Sequence, residues 1–283
     1  MLKVKMKTIT NIYNLLCARG GQMFLALFAM SMMLTACSNI DEADRLIYVE
    51  PEYTKPDAVP RVVLLEDFTG QRCINCPKGT EIIEQLQQQY GDTFIAVGIH
   101  SGPLGFKGNA KNVGLATDLG DEYYDHWGLE YQPVGLVNRQ GAVNYTDWTT
   151  TVVKELARPT TLSLKVDAAL RDGKMDITVS AMGTDGNTQG KLQVWIVENG
   201  ITAMQLMPDG SANADYVHNH VLRAAVNGNW GEDISIAESV TTDKSYNGVA
   251  LGESWNPANL SVIAFVYNDQ GVQQAAQGKV KTE

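Results

Sequence analysis

The sequence lacks the short motifs that mark several common classes of enzyme and binding protein. It contains no G-x-x-x-x-G-K-[ST] phosphate loop, no G-x-S-x-G nucleophile turn and no H-E-x-x-H zinc helix. The Asp and Asn residues around Asp209 do not complete an EF-hand, because that loop needs oxygen ligands at alternating positions and a Glu at position 12. These absences leave no motif for a nucleotide or a resident metal, and we expect no cofactor.

Positive charge is also in short supply. The chain has 22 Lys and Arg residues against 32 Asp and Glu residues, which gives a formal net charge of −10. Residues 1–36 carry four of the positive charges and no acidic residue, so without them the balance is 18 against 32, or −14. A chain this acidic repels nucleic acid and anionic lipid headgroups. We therefore expect no nucleic-acid partner.

No hydrophobic run of transmembrane length is present at the N-terminus. The apolar run from Met23 to Ala36 is shorter than the roughly 20 residues that a membrane-spanning helix needs. It follows a positively charged start and ends in Leu34-Thr35-Ala36-Cys37, which resembles a bacterial lipobox. The resemblance implies a lipoprotein signal peptide over residues 1–36, acylation of Cys37 and membrane contact through acyl chains. Simple secretion is the alternative.

Cysteine is scarce, and its placement is informative. Of the four cysteines, Cys17 lies in the predicted signal peptide and Cys37 is the predicted lipid attachment site, which leaves Cys73 and Cys76 as a pair. This C-x-x-C follows an apolar strand, Val62–Phe68, and precedes a helix predicted over Pro77–Tyr90. A cysteine at a helix N-terminus is favoured as the reactive thiolate by unpaired N–H groups and the helix dipole. The pair is therefore a candidate redox site.

The pattern of the chain changes near Arg158-Pro159. Residues 39–60 are polar and contain three prolines, which is typical of a tether. Strands and helices then alternate up to about Leu156, whereas short alternating runs with turn signals such as Asp172-Gly173 follow. The sequence predicts an α/β domain and then an antiparallel, Ig-like β-sandwich. The predicted segments are a signal peptide (1–36), an acylated N-terminus and tether (37–60), an α/β domain (61–157) and a β-sandwich (158–283).

Three features of the α/β segment, in the right order, resemble thioredoxin. They are Asp67 six residues before Cys73, the C-x-x-C itself, and the stretch Trp127–Pro133. The resemblance implies a thioredoxin-like domain, a buried Asp67 that relays protons to Cys76, and a cis Pro133 that shapes a groove for an extended substrate. Thr69 and Arg72 replace the family's aromatic residues, and Ile-Asn replaces its Gly-Pro, so the substrate and the redox potential stay open.

The mature chain as a whole resembles the twenty-eight-kilodalton outer-membrane lipoproteins of Bacteroidetes. The matching stretches are Asp67-Phe68-Thr69-Gly70, Pro133-Val134-Gly135, Asn138-Arg139, Tyr216–Arg223, Trp255-Asn256 and Ala264-Phe265-Val266. This resemblance implies a lipid-anchored outer-membrane protein, on the periplasmic or the cell-surface face. It also implies a thioredoxin-like domain followed by a β-sandwich, but no particular reaction.

Redox chemistry has two rivals at the cysteine pair. A structural disulfide is the first, although a loop of about four residues stabilises by only ~2 kcal/mol, against ~3 kcal/mol for about fifteen residues. A metal site is the second, but the pair supplies two ligands where tetrahedral zinc needs four. His100 and His126 are the nearby candidates for further ligands, and their spacing does not require a metal.

The histidines and tryptophans of the second half have plain interpretations. His218 and His220 share one face of a strand with Tyr216, and could bind a metal with Asp215, but hydrogen-bonded structural histidines are the favoured interpretation. The tryptophans of this half are interpreted as sandwich core in preference to a glycan platform. They are Trp195, Trp230 and Trp255.

The sequence predicts a cell-envelope lipoprotein that exchanges thiols and disulfides with envelope proteins. In this hypothesis Cys73 is the exchanging nucleophile, Cys76 resolves the mixed disulfide, Asp67 exchanges a proton with Cys76, and Pro133 shapes the substrate groove. The alternative is a non-catalytic binding lipoprotein of the outer membrane or cell surface, in which the thioredoxin scaffold carries a structural disulfide. A fold by itself does not choose between them.

Overall fold

The computed structural model describes residues 54–282, and residues 54–283 form one compact unit. The predicted signal peptide, the acylation site Cys37 and the tether as far as residue 53 lie outside the described residues. Within the described part, no helix has both the length and the apolar character needed to cross a membrane.

The described chain contains three α-helices and sixteen β-strands. The helices are α1 (Cys76–Tyr90), α2 (Asp118–His126) and α3 (Trp148–Leu156). The strands of the first half are β1 (Val63–Thr69), β2 (Phe94–His100), β3 (Val134–Val137) and β4 (Ala142–Asn144). Those of the second half are β5 (Leu162–Arg171), β6 (Lys174–Gly183), β7 (Thr188–Glu198), β8 (Ile201–Thr202), β9 (Gln205–Leu206), β10 (Ala212–Asn213), β11 (Val217–His218), β12 (Val221–Ala225), β13 (Glu232–Ile236), β14 (Thr242–Ala250), β15 (Leu260–Asn268) and β16 (Gly271–Thr282).

One large mixed sheet organises both halves of the chain. Its main order is β14-β6-β5-β16-β15-β7-β12-β2-β1-β3-β4, and β13 also pairs with β7. Strand β2 is parallel to β1, whereas β3 is antiparallel to it. The junction between the halves is the pairing of β12 with β2, where Val221 lies opposite Gly98. The fold is therefore mixed α/β and dominated by a large β-sheet, which confirms the coarse class predicted from the sequence.

Strand β1 is buried on both faces, and its two faces belong to different clusters. Val63 and Leu65 pack with α1 and α3, in a cluster that includes Ile83 and Trp148. Leu64 and Phe68 face the opposite cluster, which also contains residues of α2, β7 and β15. A strand buried on both faces reads as a continuous apolar run without polar alternation, and this is the pattern that identified β1 in the sequence.

The two halves of the chain share a hydrophobic core. On β7 and β15, side chains alternate between the cluster shared with the first half and a second cluster formed with β5, β6 and β13. Trp195 and Phe265, for example, face the first cluster, whereas Ile196 and Ala264 face the second. The predicted boundary at residue 158 therefore lies between two halves that are joined by both a sheet and a core.

A buried ion pair reinforces this joint. In the turn between β3 and β4, the Arg139 Nε atom donates to Glu66 Oε1 over 2.6 Å, and both side chains are almost completely buried. The guanidinium carbon of Arg139 lies 4.3 Å from the ring centre of Tyr267 and 4.8 Å from that of Phe265. Arginine can interact favourably with aromatic faces at such distances. This side chain from the first half is thus enclosed by rings from the second.

Candidate active site

The cysteine pair lies in the turn between β1 and α1. Cys73 and Cys76 form a disulfide, with their Cα atoms 5.3 Å apart. The Cys73 N–H donates to the Gly70 carbonyl over 3.0 Å, and the Cys73 carbonyl accepts from the Cys76 N–H over 3.4 Å. Helix α1 begins at Cys76, one residue earlier than the sequence predicted. Cys76 therefore lies in the first helical turn, while Cys73 lies in the turn ahead of the helix.

A segment from the second half of the chain covers the disulfide. This covering segment, residues 199–220, carries the four short strands β8 to β11. Its Gln205 side chain donates to the Cys73 carbonyl over 2.9 Å, and the Leu206 N–H donates to the Gln71 carbonyl over 2.9 Å. As a result Cys73 is only 1% exposed and Cys76 2% exposed, although Ile74 between them is 45% exposed.

Gln71 ties the covering segment to the loop between β2 and α2. Its amide nitrogen donates to the carbonyls of Val113 and Met204, each over 3.0 Å, and its amide oxygen accepts from the Leu115 N–H over 2.9 Å. The side chain is completely buried. Sequence reasoning missed both Gln71 and Gln205, because a polar residue beside a C-x-x-C carries no signal about a partner more than a hundred residues away.

Asp67 is a buried carboxyl group beside Cys76. It lies on β1, is 3% exposed, and has no hydrogen-bond partner for Oδ1. Burial raises the pKa of the Asp67 carboxyl to about 8, because the charged form loses its hydration. The carboxyl therefore holds a proton at neutral pH, in the manner of a group that can give or take one near physiological pH.

Asp67 and Cys76 line a small cavity, which we call the Cys76 cavity. Its volume is about 20 Å³. Its other polar lining residues are Thr69, Thr80, His100, Gln205, Tyr216, His218, Asn219 and His220. The sheet register explains this assembly, because Gly98 lies opposite Asp67 on one side and Val221 on the other.

Three histidines with lowered pKa values meet at this cavity. The rings of His100 and His218 are 5.1 Å apart in an edge-to-face arrangement. Burial lowers the pKa of both His218 and His220 to about 4. Burial lowers the pKa of His100 as well, and the neighbouring His218, His220 and Arg223 add to the effect. All three imidazoles are therefore neutral at pH 7.

The metal alternatives raised by the sequence find no assembled ligand set. Among residues 54–282, no group of three or more His, Cys, Asp or Glu side chains is arranged to hold a metal ion. His126 lies apart from the cavity, with its ring 4.1 Å from that of Trp230. The ring of His218 lies instead beside the backbone carbonyls of Ala203 and Met204, which favour a proton on it.

Pro133 lies behind the first turns of α1. The Gln132–Pro133 peptide bond is cis, as the thioredoxin resemblance implies. A Cβ atom at Gly79 of α1 would lie 3.5 Å from the Pro133 Cβ, so proline and helix are in close contact. The preceding Gln132 amide donates to the Thr69 carbonyl over 2.7 Å and to the Ser101 carbonyl over 2.9 Å. These bonds fix the proline relative to β1 and β2.

Comparison with known families now identifies the chain. The family model described as outer membrane protein Omp28 matches residues 120–283, which is more than half of the sequence. The chain belongs to the Omp28 family. This confirms the resemblance drawn from the sequence motifs, and it also confirms the predicted location, the outer membrane, with the protein anchored as a lipoprotein.

Two solved structures from Porphyromonas gingivalis resemble this Omp28-family protein. HBP35 matches with a TM-score of 0.59 at 16% identity, over 80% of this chain and 77% of that one. A domain of the outer membrane lipoprotein Omp28 matches with a TM-score of 0.32 at 27% identity, over 44% of this chain and 91% of that one. At its low identity the HBP35 match concerns the fold alone. No curated protein matches the chain.

The tryptophans of this Omp28-family protein are placed largely as interpreted from the sequence. Trp195 is completely buried in the cluster shared by the two halves. Trp230 and Trp255 are half-buried and pack against the two main clusters. The guanidinium of Arg223 lies 5.4 Å from the ring of Trp255.

Proposed function

We propose that this outer-membrane lipoprotein exchanges thiols and disulfides with other proteins of the cell envelope, at Cys73 and Cys76. The observation that carries the proposal is the Asp67 carboxyl. It is buried with one oxygen unpaired, beside the disulfide, although burial of an unpaired polar group destabilises a fold. A costly ionisable group next to a reactive one is typical of a functional site.

The domain organisation proposed here follows from the same resemblance. Residues 61–157 form a thioredoxin-like domain, supported by the parallel pair β1–β2, the antiparallel strand β3 and the cis-proline ahead of it. Residues 158–283 form an Ig-like β-sandwich, supported by the core between β5–β6 and β7–β15. The two share a sheet through β12, so they act as one structural unit.

The proposed reaction has two steps that balance without an external redox agent. In the reduced protein, the Cys73 thiolate attacks a disulfide of the partner, forms a mixed disulfide and releases one partner thiolate. Asp67, whose pKa is about 8, first gives up its own proton, and the resulting carboxylate then takes the proton of Cys76. The Cys76 thiolate attacks the Cys73 sulfur, which restores the intramolecular disulfide and releases the second partner thiolate. The reverse sequence reduces the pair and oxidises a partner dithiol.

The covering segment bears on how a partner reaches the pair. Both cysteines are at least 98% buried, whereas Arg72, Ile74 and Asn75 beside them are exposed. Turnover therefore requires the middle of this segment, around Gln205 and Leu206, to move away from the turn that holds Cys73, while its end stays fastened to β2 by the bond from the Gly98 N–H to the His220 carbonyl. This middle part is held to the turn by bonds from the Gln205 side chain to the Gly70 and Cys73 carbonyls and from the Leu206 N–H to the Gln71 carbonyl.

The same burial favours the second candidate function. If residues 199–220 never open, the disulfide stays inaccessible, and the protein is a binding lipoprotein on a thioredoxin scaffold. The two candidates differ in the reduction potential of the pair. Exchanging pairs have potentials above about −300 mV, whereas structural disulfides lie below this value.

A redox titration combined with trapping separates the two candidates. The pair of the purified lipoprotein should equilibrate with glutathione buffers at a potential above about −300 mV. Cys76→Ser should trap mixed disulfides with envelope proteins through Cys73, and the matched variant Cys73→Ser should trap almost none. A pair that resists reduction, together with no trapped partner in either variant, would establish the binding candidate.

A further inference from the structure

We infer that His218 and His100 form a proton path that connects Asp67 with the outside of the covered site, through one water held in the Cys76 cavity. The inference rests on the thiol–disulfide exchange proposed above. It adds a role for the two histidines, whereas the exchange as proposed above involves only the cysteines and Asp67. His218 acts through Asp67 and is therefore a positioning residue for proton transfer.

The first step of the argument is that Asp67 has no direct route to solvent. Its side chain is 3% exposed, and Cys76 is 2% exposed. The covering segment closes the site from one side, because the His220 carbonyl accepts from the Gly98 N–H over 2.9 Å and fastens the end of this segment to β2. Every proton that Cys76 gains or loses must therefore pass through groups that line the cavity.

The second step concerns the polar atoms that face this space. Asp67 Oδ1, His100 Nδ1 and His218 Nε2 are all buried and have no hydrogen-bond partner in the protein. A cavity needs roughly 10–15 Å³ to hold one water, which then requires two to four polar partners. The Cys76 cavity measures about 20 Å³ and is lined by Asp67, His100 and His218, the residues that carry these three atoms. One water can therefore join the carboxyl to the two imidazoles.

The third step concerns the tautomer of His218. The backbone carbonyls of Ala203 and Met204 lie beside its ring and favour a proton on it. Since Nε2 is the unpaired nitrogen, Nδ1 is the donor, and Nε2 keeps a free lone pair toward the cavity. An imidazole fixed in this way accepts a proton on one side while it can release one on the other, which is the property that a relay requires.

The charged surroundings keep the relay neutral at rest. Arg223 and the partly buried His220 lower the basicity of His100, and Asp67 itself is protonated at neutral pH. Tyr216 also lines the cavity, and its hydroxyl interacts with Thr80 and with the carboxylates Glu81 and Glu84. The imidazoles therefore carry a proton only in passing.

The proton balance of the path is simple. When the mixed disulfide is resolved, the Cys76 proton moves to the Asp67 carboxylate. It then passes by way of the water to His218 Nε2, while the Nδ1 proton of His218 leaves to a solvent water that enters when the part of the covering segment around Gln205 moves away. When the pair is reduced, the same path runs in reverse. No electron travels along it.

The test measures the resolution step in the full-length lipoprotein, purified in detergent. The reduced protein is mixed with oxidised glutathione, and the decay of the glutathione mixed disulfide at Cys73 is followed by acid quench and mass spectrometry. The measurement is made at pH values below and above 8, because the pKa of Asp67 is about 8. His218→Ala should slow this decay by about tenfold to a hundredfold. This is no more than the rate loss expected when a group that transfers a proton directly is removed. The matched control His126→Ala should decay like the wild type.

Two further measurements separate a relay from a structural role. Added imidazole should restore the rate of His218→Ala, whereas acetamide should not, and the reduction potential should stay at the wild-type value. Gly98→Ala offers an independent variant, because its methyl group would enter the cavity with its nearest neighbours, Asn219 O and His220 O, at 3.7 and 3.8 Å. It should slow resolution without removing any ionisable group.

The outcomes are distinguishable. If the wild-type pair forms no mixed disulfide with glutathione, the proposed exchange fails and the relay fails with it. If the wild type resolves, but His218→Ala and Gly98→Ala both resolve at its rate, only the relay is overturned. The relay is also overturned in favour of a structural histidine if His218→Ala resolves slowly, imidazole does not restore its rate, and Gly98→Ala resolves at the wild-type rate.

Discussion

Replacement of Asp67 by asparagine should make the oxidised protein more stable at neutral pH. The unfolded carboxyl ionises near pH 3.8, whereas burial raises the pKa of the folded one to about 8, so folding takes up a proton between these values. A pKa raised on folding contributes stability that is complete below pH 3.8 and is lost as the pH rises toward 8. At pH 7 the loss is about 4 kcal/mol, at about 1.4 kcal/mol per pH unit.

Asparagine is close in shape to the protonated acid and has no proton to take up. Its buried amide leaves an unpaired group, but that cost does not depend on pH. The difference in unfolding free energy between Asp67→Asn and wild type should therefore rise by about 1.4 kcal/mol per pH unit between about pH 4 and pH 8. His218 and His220, whose pKa values burial lowers, reduce stability as the pH falls below 6.5, equally in both proteins.

Urea unfolding of the mature chain, with Cys37→Ser to prevent acylation, measures this slope at several pH values. Glu81→Gln is a suitable control because Glu81 is an exposed carboxylate of α1. Its stability difference from wild type should stay nearly constant with pH. A constant difference for Asp67→Asn as well would refute the raised pKa, and with it the reasoning that makes Asp67 a proton-exchanging group.

Three more predictions concern the buried ion pair, the covering segment and the predicted acylation site. Arg139→Met should destabilise the fold by about 3–5 kcal/mol in urea, since it leaves the Glu66 carboxylate buried without its partner; adding Glu66→Gln should recover most of the loss, and no recovery would argue against the ion pair. Gln205→Ala should speed reduction of the disulfide by dithiothreitol, because it removes the bond to the Cys73 carbonyl; an unchanged rate would show that this bond does not limit access. Cys37→Ser should abolish palmitate labelling and leave unprocessed precursor, whereas undiminished labelling would contradict the predicted lipid anchor.

Local sequence patterns predicted the parts of the site that lie close together in the chain. The strand before the cysteines, the helix after them and the spacing of Asp67 all follow from hydrophobic pattern and short-range motif. Helix α2 begins at Asp118 because the Thr117 side chain accepts from the Gly120 N–H and so sets its start. Such boundaries depend on one capping bond, which a sequence indicates only approximately.

The covering segment and the meeting of His100, His218 and His220 could not be predicted, because both depend on the pairing of strands that are far apart in the sequence. His100 and His218 meet only because β12 pairs with β2 at Val221 and Gly98. A shift of that pairing by one residue would turn the side chains of β12 to the opposite face of the sheet and would displace His218, three residues before Val221, from His100. The sequence predicted His218 and His220 on one face of a strand, whereas β11 ends at His218 and His220 lies between β11 and β12. Nothing in the sequence indicates that β12 joins the N-terminal half of the chain.

The pairing of β12 with β2 has a consequence for how the protein reaches its final state in the envelope. Until residue 221 has crossed the inner membrane, the N-terminal half has β2 as an open sheet edge, and such edges are templates for aggregation. The start of β1 is also fixed late, since Arg61 just before it donates to the Val272 carbonyl, 211 residues further along the chain. Contacts of such sequence separation make folding slow. We therefore expect that other factors keep the chain soluble through most of its translocation. The edge of β2 is covered only when β12 has emerged, and the start of β1 is fixed only when Val272 has emerged.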